Sequence, residues 1–260
     1  MMQSLQNQIV LVTGASSGIG GACARSLAKN GSKLILNARR TERLETLAEE
    51  LHQTYGTATL VCPFDVRKLD RAKVAIEKLT REWQSIGILI NNAGLARGLD
   101  RFQEGRIEDW EEMIDSNVKG LLYVTRLVLP GMLSRGKGHI VNIASIAGMQ
   151  TYPRGNVYCA SKAAVRVLSD GLRQDLLGSP IRVTTISPGL VETEFSQVRF
   201  RGDTERAAQV YNGLTPLTGD DVADAVVYAV TRPPHVNINE IVILPTDQAS
   251  STMVHRREAA

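Results

Sequence analysis

Two residues of this chain have the types and spacing needed to move a proton. Tyr158 and Lys162 stand four apart in Tyr158-Cys159-Ala160-Ser161-Lys162. On a helix such residues share a face, so a phenol and an ammonium would point the same way. Ahead of them an apolar run, His139-Ile140-Val141-Asn142-Ile143, ends in Ala144-Ser145 and crosses a loop containing Gly and Pro. A serine at that strand end can lie within reach of both. Hydroxyl, phenol and amine together can transfer a proton without histidine or metal. An ordinary exposed helix pair would look the same in isolation, so the rest of the chain has to decide.

The elements that must position these groups are legible as short apolar runs alternating with helical periodicity. The runs Ile9–Val12, Lys33–Leu36, Thr59–Cys62, Ile88–Ile90, His139–Ile143, Ile181–Ile186 and Glu240–Leu244 read as strands. Amphipathic stretches such as Glu42–Leu51 and Arg71–Trp83 lie between them, and Trp110–Leu133 reads as one long helix. Continuous apolar strands suit a parallel sheet covered on both faces. The expected fold is α/β: a single doubly wound Rossmann domain over 1–260, with a mostly parallel seven-stranded sheet. A small excursion over 195–216 is the expected substrate lid.

The first strand runs into Thr13-Gly14-Ala15-Ser16-Ser17-Gly18-Ile19-Gly20, followed by a helical pattern. Glycines there permit a tight turn and a close approach of backbone to a phosphate, and the helix start offers free N–H groups to a pyrophosphate. The second strand ends in Asn37-Ala38-Arg39-Arg40, with no acid to hold a ribose 2′-hydroxyl. Two guanidiniums are instead partners for a 2′-phosphate, which points to NADP(H) rather than NAD(H). Asp65-Val66 closes the third strand region; the acid can accept from an adenine amino group or cap the next helix. Asn91-Asn92-Ala93-Gly94, at the end of the fourth strand, suits a ligand crevice or simply a turn.

Bulk properties narrow the field. The chain has 260 residues, 43% hydrophobic, with a net charge of +3 and charges of both signs interspersed, so no nucleic-acid patch is indicated. Its three cysteines lack C-x-x-C spacing and its four histidines are scattered, which points to reduced thiols, no metal site and a cytoplasmic address. No apolar run approaches the ~20 residues that a membrane span requires.

In order along the chain, Thr13-Gly14-x-x-x-Gly18-x-Gly20, Asn91-Asn92-Ala93-Gly94, Asn117, Ser145, Tyr158-x-x-x-Lys162 and Pro188-Gly189 resemble the classical short-chain dehydrogenases/reductases. The resemblance covers about Ile9 to Gln248. It implies that Tyr158 is the acid/base, that Lys162 lowers its pKa and holds the nicotinamide ribose, and that Ser145 orients the substrate oxygen. Asn117 would anchor a water that relays protons. Gly14, Ser16, Ser17, Gly18, Ile19, Gly20, Arg39, Arg40, Asp65, Val66, Asn92, Ala93 and Gly94 would line the phosphate and adenosine side. Pro188, Gly189, Val191 and Thr193 would hold the nicotinamide end, and the assembly would be a homotetramer or homodimer. A free phenol has a pKa of ~10. A nearby ammonium and a positive nicotinamide ring would lower it toward about 7–8, roughly 3–4 kcal/mol of differential stabilisation.

Residues 194–203 and the end of the chain, Pro233–Ile241 and Leu244–Gln248, resemble the NADP-dependent 3-hydroxy acid dehydrogenases acting on serine, allo-threonine and 3-hydroxypropionate. An Asp-Gly-Gly turn usual after the last strand of carrier-protein 3-oxoacyl reductases is absent. A broad carbonyl reductase or 3-oxoacyl reductase stays as an alternative, and a non-catalytic nucleotide sensor as a remote one. A small hydroxy acid needs its carboxylate neutralised. Arg199 is the expected partner and Arg154 the second choice.

Overall fold

A computed structural model describes residues 3–257, so the ends of the expected 1–260 domain lie outside the described residues. Seven strands form one parallel sheet in the order β3-β2-β1-β4-β5-β6-β7. They are β1 (Ile9–Thr13), β2 (Lys33–Asn37), β3 (Thr59–Val61), β4 (Ile86–Asn91), β5 (Gly138–Ile143), β6 (Ile181–Pro188) and β7 (Glu240–Ile243). Every pairing is parallel. All seven expected strands are present, within two residues at either end. Strand order reverses between β1 and β4, which opens a crevice at their carboxyl ends, where such sheets bind ligands.

Alternate strand residues feed two cores. Val10, Val12, Leu34 and Leu36 pack with Leu27 of α1 (Gly18–Lys29), Leu44 and Leu51 of α2 (Thr41–Tyr55), and Val222 and Val226 of α9 (Gly219–Val230). Leu11, Ile35, Leu89 and Ile140 pack on the opposite face with Ala72 of α3 (Leu69–Glu77) and with Val124, Val128 and Met132 of α5 (Gly120–Ser134). This two-residue alternation, apolar on both sides, follows from a strand covered by helices on each face. The helix expected to reach Trp83 stops at Glu77. Leu79 turns inward to the core and its carbonyl is taken by the Gln84 amide at 2.9 Å.

The long helix expected over Trp110–Leu133 is instead α4 (Ile107–Ile114), a π-helical turn at Asp115–Lys119, and α5. Such single π turns concentrate at functional sites, and Asn117 lies within this one. Beyond β5 comes α6 (Asn156–Asp175), which carries Tyr158 and Lys162. Two short helices, α7 (Phe195–Arg199) and α8 (Thr204–Gln209), occupy the expected lid.

Candidate active site

The glycine turn is built to sit against a ligand. Gly14 and Gly18 have left-handed backbones, with φ of +68° and +53°. A Cβ on Gly20 would collide with the carbonyl of Gly14 and the Asn92 amide. Asn92 clamps the turn from β4, donating from Nδ2 to the carbonyls of Thr13 and Gly14 at 3.0 and 3.2 Å. Thr13 Oγ1 accepts from the backbone N–H groups of Asn92 and Ala93. Ser17 is the N-cap of α1 but its side chain caps nothing there, and the first turn carries no acid. The N-terminus of a twelve-residue helix therefore keeps its positive end free for an anion.

Of the two expected arginines, only Arg40 lies over this turn. Its Nη2 donates to Ser16 Oγ at 3.1 Å and Ser17 Oγ at 3.0 Å, and its Nη1 to Glu194 Oε2 at 3.1 Å. Arg39 is exposed, on the Asp65 side, with Glu112 4.0 Å from it. Arg43, one helical turn on from Arg40, takes part instead, donating to both Glu194 oxygens at 2.6 and 2.8 Å. Spacing on α2 carried that signal, since residues three apart are neighbours; nothing in the sequence announced Glu194. Its carboxyl is held below the usual range by the two arginines, against the opposing effect of burial.

Asp65 does not cap α3, whose N-cap is Lys68. Its carboxylate accepts from the Arg67 backbone N–H at 3.0 Å and from the Arg67 guanidinium at 2.6 Å. Val66 is buried against Gly120 at the start of α5, which has no room for a side chain there.

Tyr158 and Lys162 are buried, at 9% and 6% exposed, and are not a surface pair. Helix α6 is fixed to the sheet by a polar chain that the sequence did not disclose. Asn91 Nδ2 donates to Asn142 Oδ1, and Asn142 Nδ2 donates to Ser169 Oγ, each at 2.9 Å. Asn91 also donates to Thr125 Oγ1 on α5, so both helices register on β4 and β5. Asn117 spends both side-chain atoms on its surroundings: Oδ1 accepts from Leu95 N at 2.8 Å, and Nδ2 donates to Leu95 O and Ser161 Oγ, both at 2.9 Å. Gly94 lies between Asn117 and Lys162; a Cβ there would stand 2.9 Å from Asn117 Oδ1 and 3.5 Å from Lys162 Nζ.

Lys162 Nζ donates to the Ile143 carbonyl at 2.9 Å and is 6.0 Å from the centre of the Tyr158 ring. Burial without a counter-ion pushes its pKa down to about 8. The Tyr158 phenol is pushed up, chiefly by burial and next by Tyr152, with Ser145 and Arg199 opposing. Desolvation here outweighs the Ser145 hydrogen bond and the Arg199 charge; the expected lowering also counts on a positive nicotinamide ring.

Ser145 donates to Pro188 O at 3.4 Å and accepts from Ala147 N at 3.1 Å. Pro188 thus meets Ser145 just past the end of β5. Thr193 packs against the glycine turn, where a Cβ on Gly18 would stand 3.1 Å from the Thr193 Cβ. Val191 is buried behind this loop and bridges Leu217. Arg199 reaches across the mouth of the site. Its Nη2 donates to Tyr152 Oη at 2.8 Å, its Nε to Gly98 O at 3.0 Å, and its guanidinium carbon is 5.6 Å from the Tyr158 ring centre. Arg154 and Arg199 line one small pocket with Tyr158, Trp110 and Asp109. Arg154 is exposed, has no hydrogen-bond partner among the described residues and holds a left-handed backbone with φ of 66°. Arg97 pairs with Glu112 and donates to the Val198 carbonyl, and Arg201 pairs with Asp109, so both tie the lid to α4. Cys159 is buried beside the tyrosine as a packing residue.

These features place a dinucleotide crevice beside a buried Ser-Tyr-Lys set, and the family model for short chain dehydrogenases matches residues 8–203. The chain belongs to that family. It is 49% identical over 250 residues to the NADP-dependent 3-hydroxy acid dehydrogenase YdfG of Salmonella typhi, covering 95% of this chain and 99% of the relative. Among solved structures it is similar to the closed form of serine dehydrogenase complexed with NADP+, with a TM-score of 0.90, 46% identity and coverage of 96% and 100%. Serine dehydrogenase from Escherichia coli matches with a TM-score of 0.80 at 43% identity, with coverage of 93% and 100%.

Proposed function

We propose that this protein interconverts small 3-hydroxy acids, of the serine, L-allo-threonine and 3-hydroxypropionate type, with their 3-keto forms, using NADP(H). It is an NADP-dependent oxidoreductase acting on CH–OH groups. Arg199 carries the substrate assignment: a guanidinium is held beside the Tyr158 ring, in a pocket where an unpaired carboxylate would be costly. Its similarity to a 3-hydroxy acid dehydrogenase and to serine dehydrogenase agrees with a carboxylate-bearing alcohol.

The cradle fits the cofactor. Glycines leave room for phosphates, the α1 N-terminus stays free, and Arg40 with Arg43 supplies cations for a 2′-phosphate. When bound, NADP(H) accepts or supplies the hydride. Tyr158 takes the hydroxyl proton during oxidation and returns it during reduction. Ser145 holds the reacting oxygen. Lys162, fixed by the Ile143 carbonyl, supplies positive charge beside the phenol and binds the ribose. With the Asn117 side chain already engaged, a water relay can use only that residue's main-chain carbonyl. A phenol pushed up by burial is in its acid form at neutral pH, ready to protonate a keto substrate.

Exposed Leu122 and Leu133 on α5 and Val167 on α6 support a homotetramer or homodimer through these helices; sedimentation velocity reads the state, and a monomer would refute it. NADP+ reduction with serine, L-allo-threonine and 3-hydroxypropionate tests the substrate class, with methyl esters, acyl thioesters and NAD+ alongside. Turnover confined to the free acids with NADP+ is expected. Equal rates on the neutral esters, or activity on thioesters alone, would overturn it.

A further inference from the structure

Past β7 the chain turns back over its own active site, and one buried amide joins it to the loop opposite Ser145. Gln248 is 5% exposed. Its Oε1 accepts from Leu190 N at 2.8 Å and its Nε2 donates to Ser250 O at 3.0 Å. Any side chain on Gly189 would collide with the same Oε1. On the far side of the loop, Ser145 donates to Pro188 O and Leu217 N donates to Leu190 O at 2.9 Å. Residues beyond Gln248 reach the other walls of the site. Ser251 Oγ donates to Thr151 O at 3.1 Å, in the loop before Tyr158, and Arg257 N donates to Gly213 O at 2.7 Å, in the lid segment.

We propose that Gln248 is a positioning residue: it sets the height of the loop Pro188–Val191 against Ser145 and thereby seats the nicotinamide end of the cofactor. This rests on the assignment of Pro188 and Gly189 to that end. An apolar residue of similar size would leave the half-buried Leu190 N–H without its partner, and a donor so stranded relaxes toward another partner. The loop moves with it, and a shift of a fraction of an ångström at a hydride-transfer site is costly in rate.

Gln248→Leu should lower kcat about tenfold or more and weaken NADPH binding, read from the fluorescence of the bound dinucleotide. Affinity for 2′,5′-ADP, which lacks the nicotinamide half, should stay at the wild-type value. Gln248→Glu keeps an acceptor for Leu190 N but, when ionised, loses the donor to Ser250 O and buries a charge. Its kcat should therefore recover toward wild type only at low pH, where the protonated carboxyl again offers an acceptor and a donor. Should Gln248→Leu fail to fold, Gln248→Asn withdraws the amide by one methylene and is read by the same criteria. Wild-type kcat and NADPH affinity in the variant would overturn the proposal. So would a parallel loss of NADPH and 2′,5′-ADP affinity, or a Glu variant as impaired at low pH as the Leu one. Tyr158→Phe, assayed beside them, separates the two readings. If it keeps turnover, the site assignment itself falls; if it is dead while Gln248→Leu is normal, only the role of Gln248 falls.

Discussion

Lys162 lies beside Tyr158 yet spends its hydrogen bond on the Ile143 carbonyl, 2.9 Å away, with 6.0 Å between its nitrogen and the phenol ring centre. The lysine is thus a buried cation without a carboxylate partner among the described residues, and its pKa falls to about 8 from an ordinary 10.5. Between these two values the unfolded chain binds a proton that the folded chain does not, so this group makes stability rise with pH across that window. Below about 8 the protein carries the full cost of burying the charge. Lys162→Met should therefore stabilise the ligand-free protein at pH 7 by roughly 1–3 kcal/mol while abolishing turnover. Urea unfolding at pH 7 and again near pH 10, where the gain should shrink, checks this. A variant less stable at both pH values would show that the lysine is a structural strut.

Arg40 and Glu194 make the second prediction. A carboxylate from the lid now occupies guanidiniums that a 2′-phosphate would need. Arg40→Met should weaken NADP+ about 10–100-fold and leave NAD+ nearly unchanged, whereas Glu194→Gln should tighten NADP+ by about threefold. Calorimetric titration with both dinucleotides measures these effects. Equal loss of NADP+ and NAD+ in the Arg40 variant would place that arginine outside the phosphate site.

Arg199 and Arg154 should separate in kinetics. Arg199→Met should raise KM for 3-hydroxy acids about 10–100-fold with little change for a neutral secondary alcohol. Arg154→Gly removes a side chain from a left-handed backbone and should stabilise the fold by about 1 kcal/mol, with a smaller effect on KM. Steady-state kinetics and thermal unfolding of the two variants read both effects. A KM unchanged in Arg199→Met would transfer the carboxylate to another group.

The sequence alone determined a great deal here, because local rules carry it. Apolar runs such as Val10-Leu11-Val12 suit strands buried on both faces, Gly14-x-x-x-Gly18-x-Gly20 suits a tight turn at a strand end, and the Tyr158–Lys162 spacing fixes one helical face. The seven strands, the left-handed glycine turn and the shared helical face of Tyr158 and Lys162 were legible for that reason. Tertiary structure decided what depends on residues far apart in the chain. It set Arg39 beside Glu112 and brought Arg43 and Glu194, about 150 residues apart, into contact. It spent the Asn117 amide on Leu95 and Ser161, and placed a π turn inside the long helix around it. It also set burial against the cations around the Tyr158 phenol, because burial is a property of packing and not of spacing. A sequence states which groups are four apart on a helix; only the packed molecule states which of them water has left.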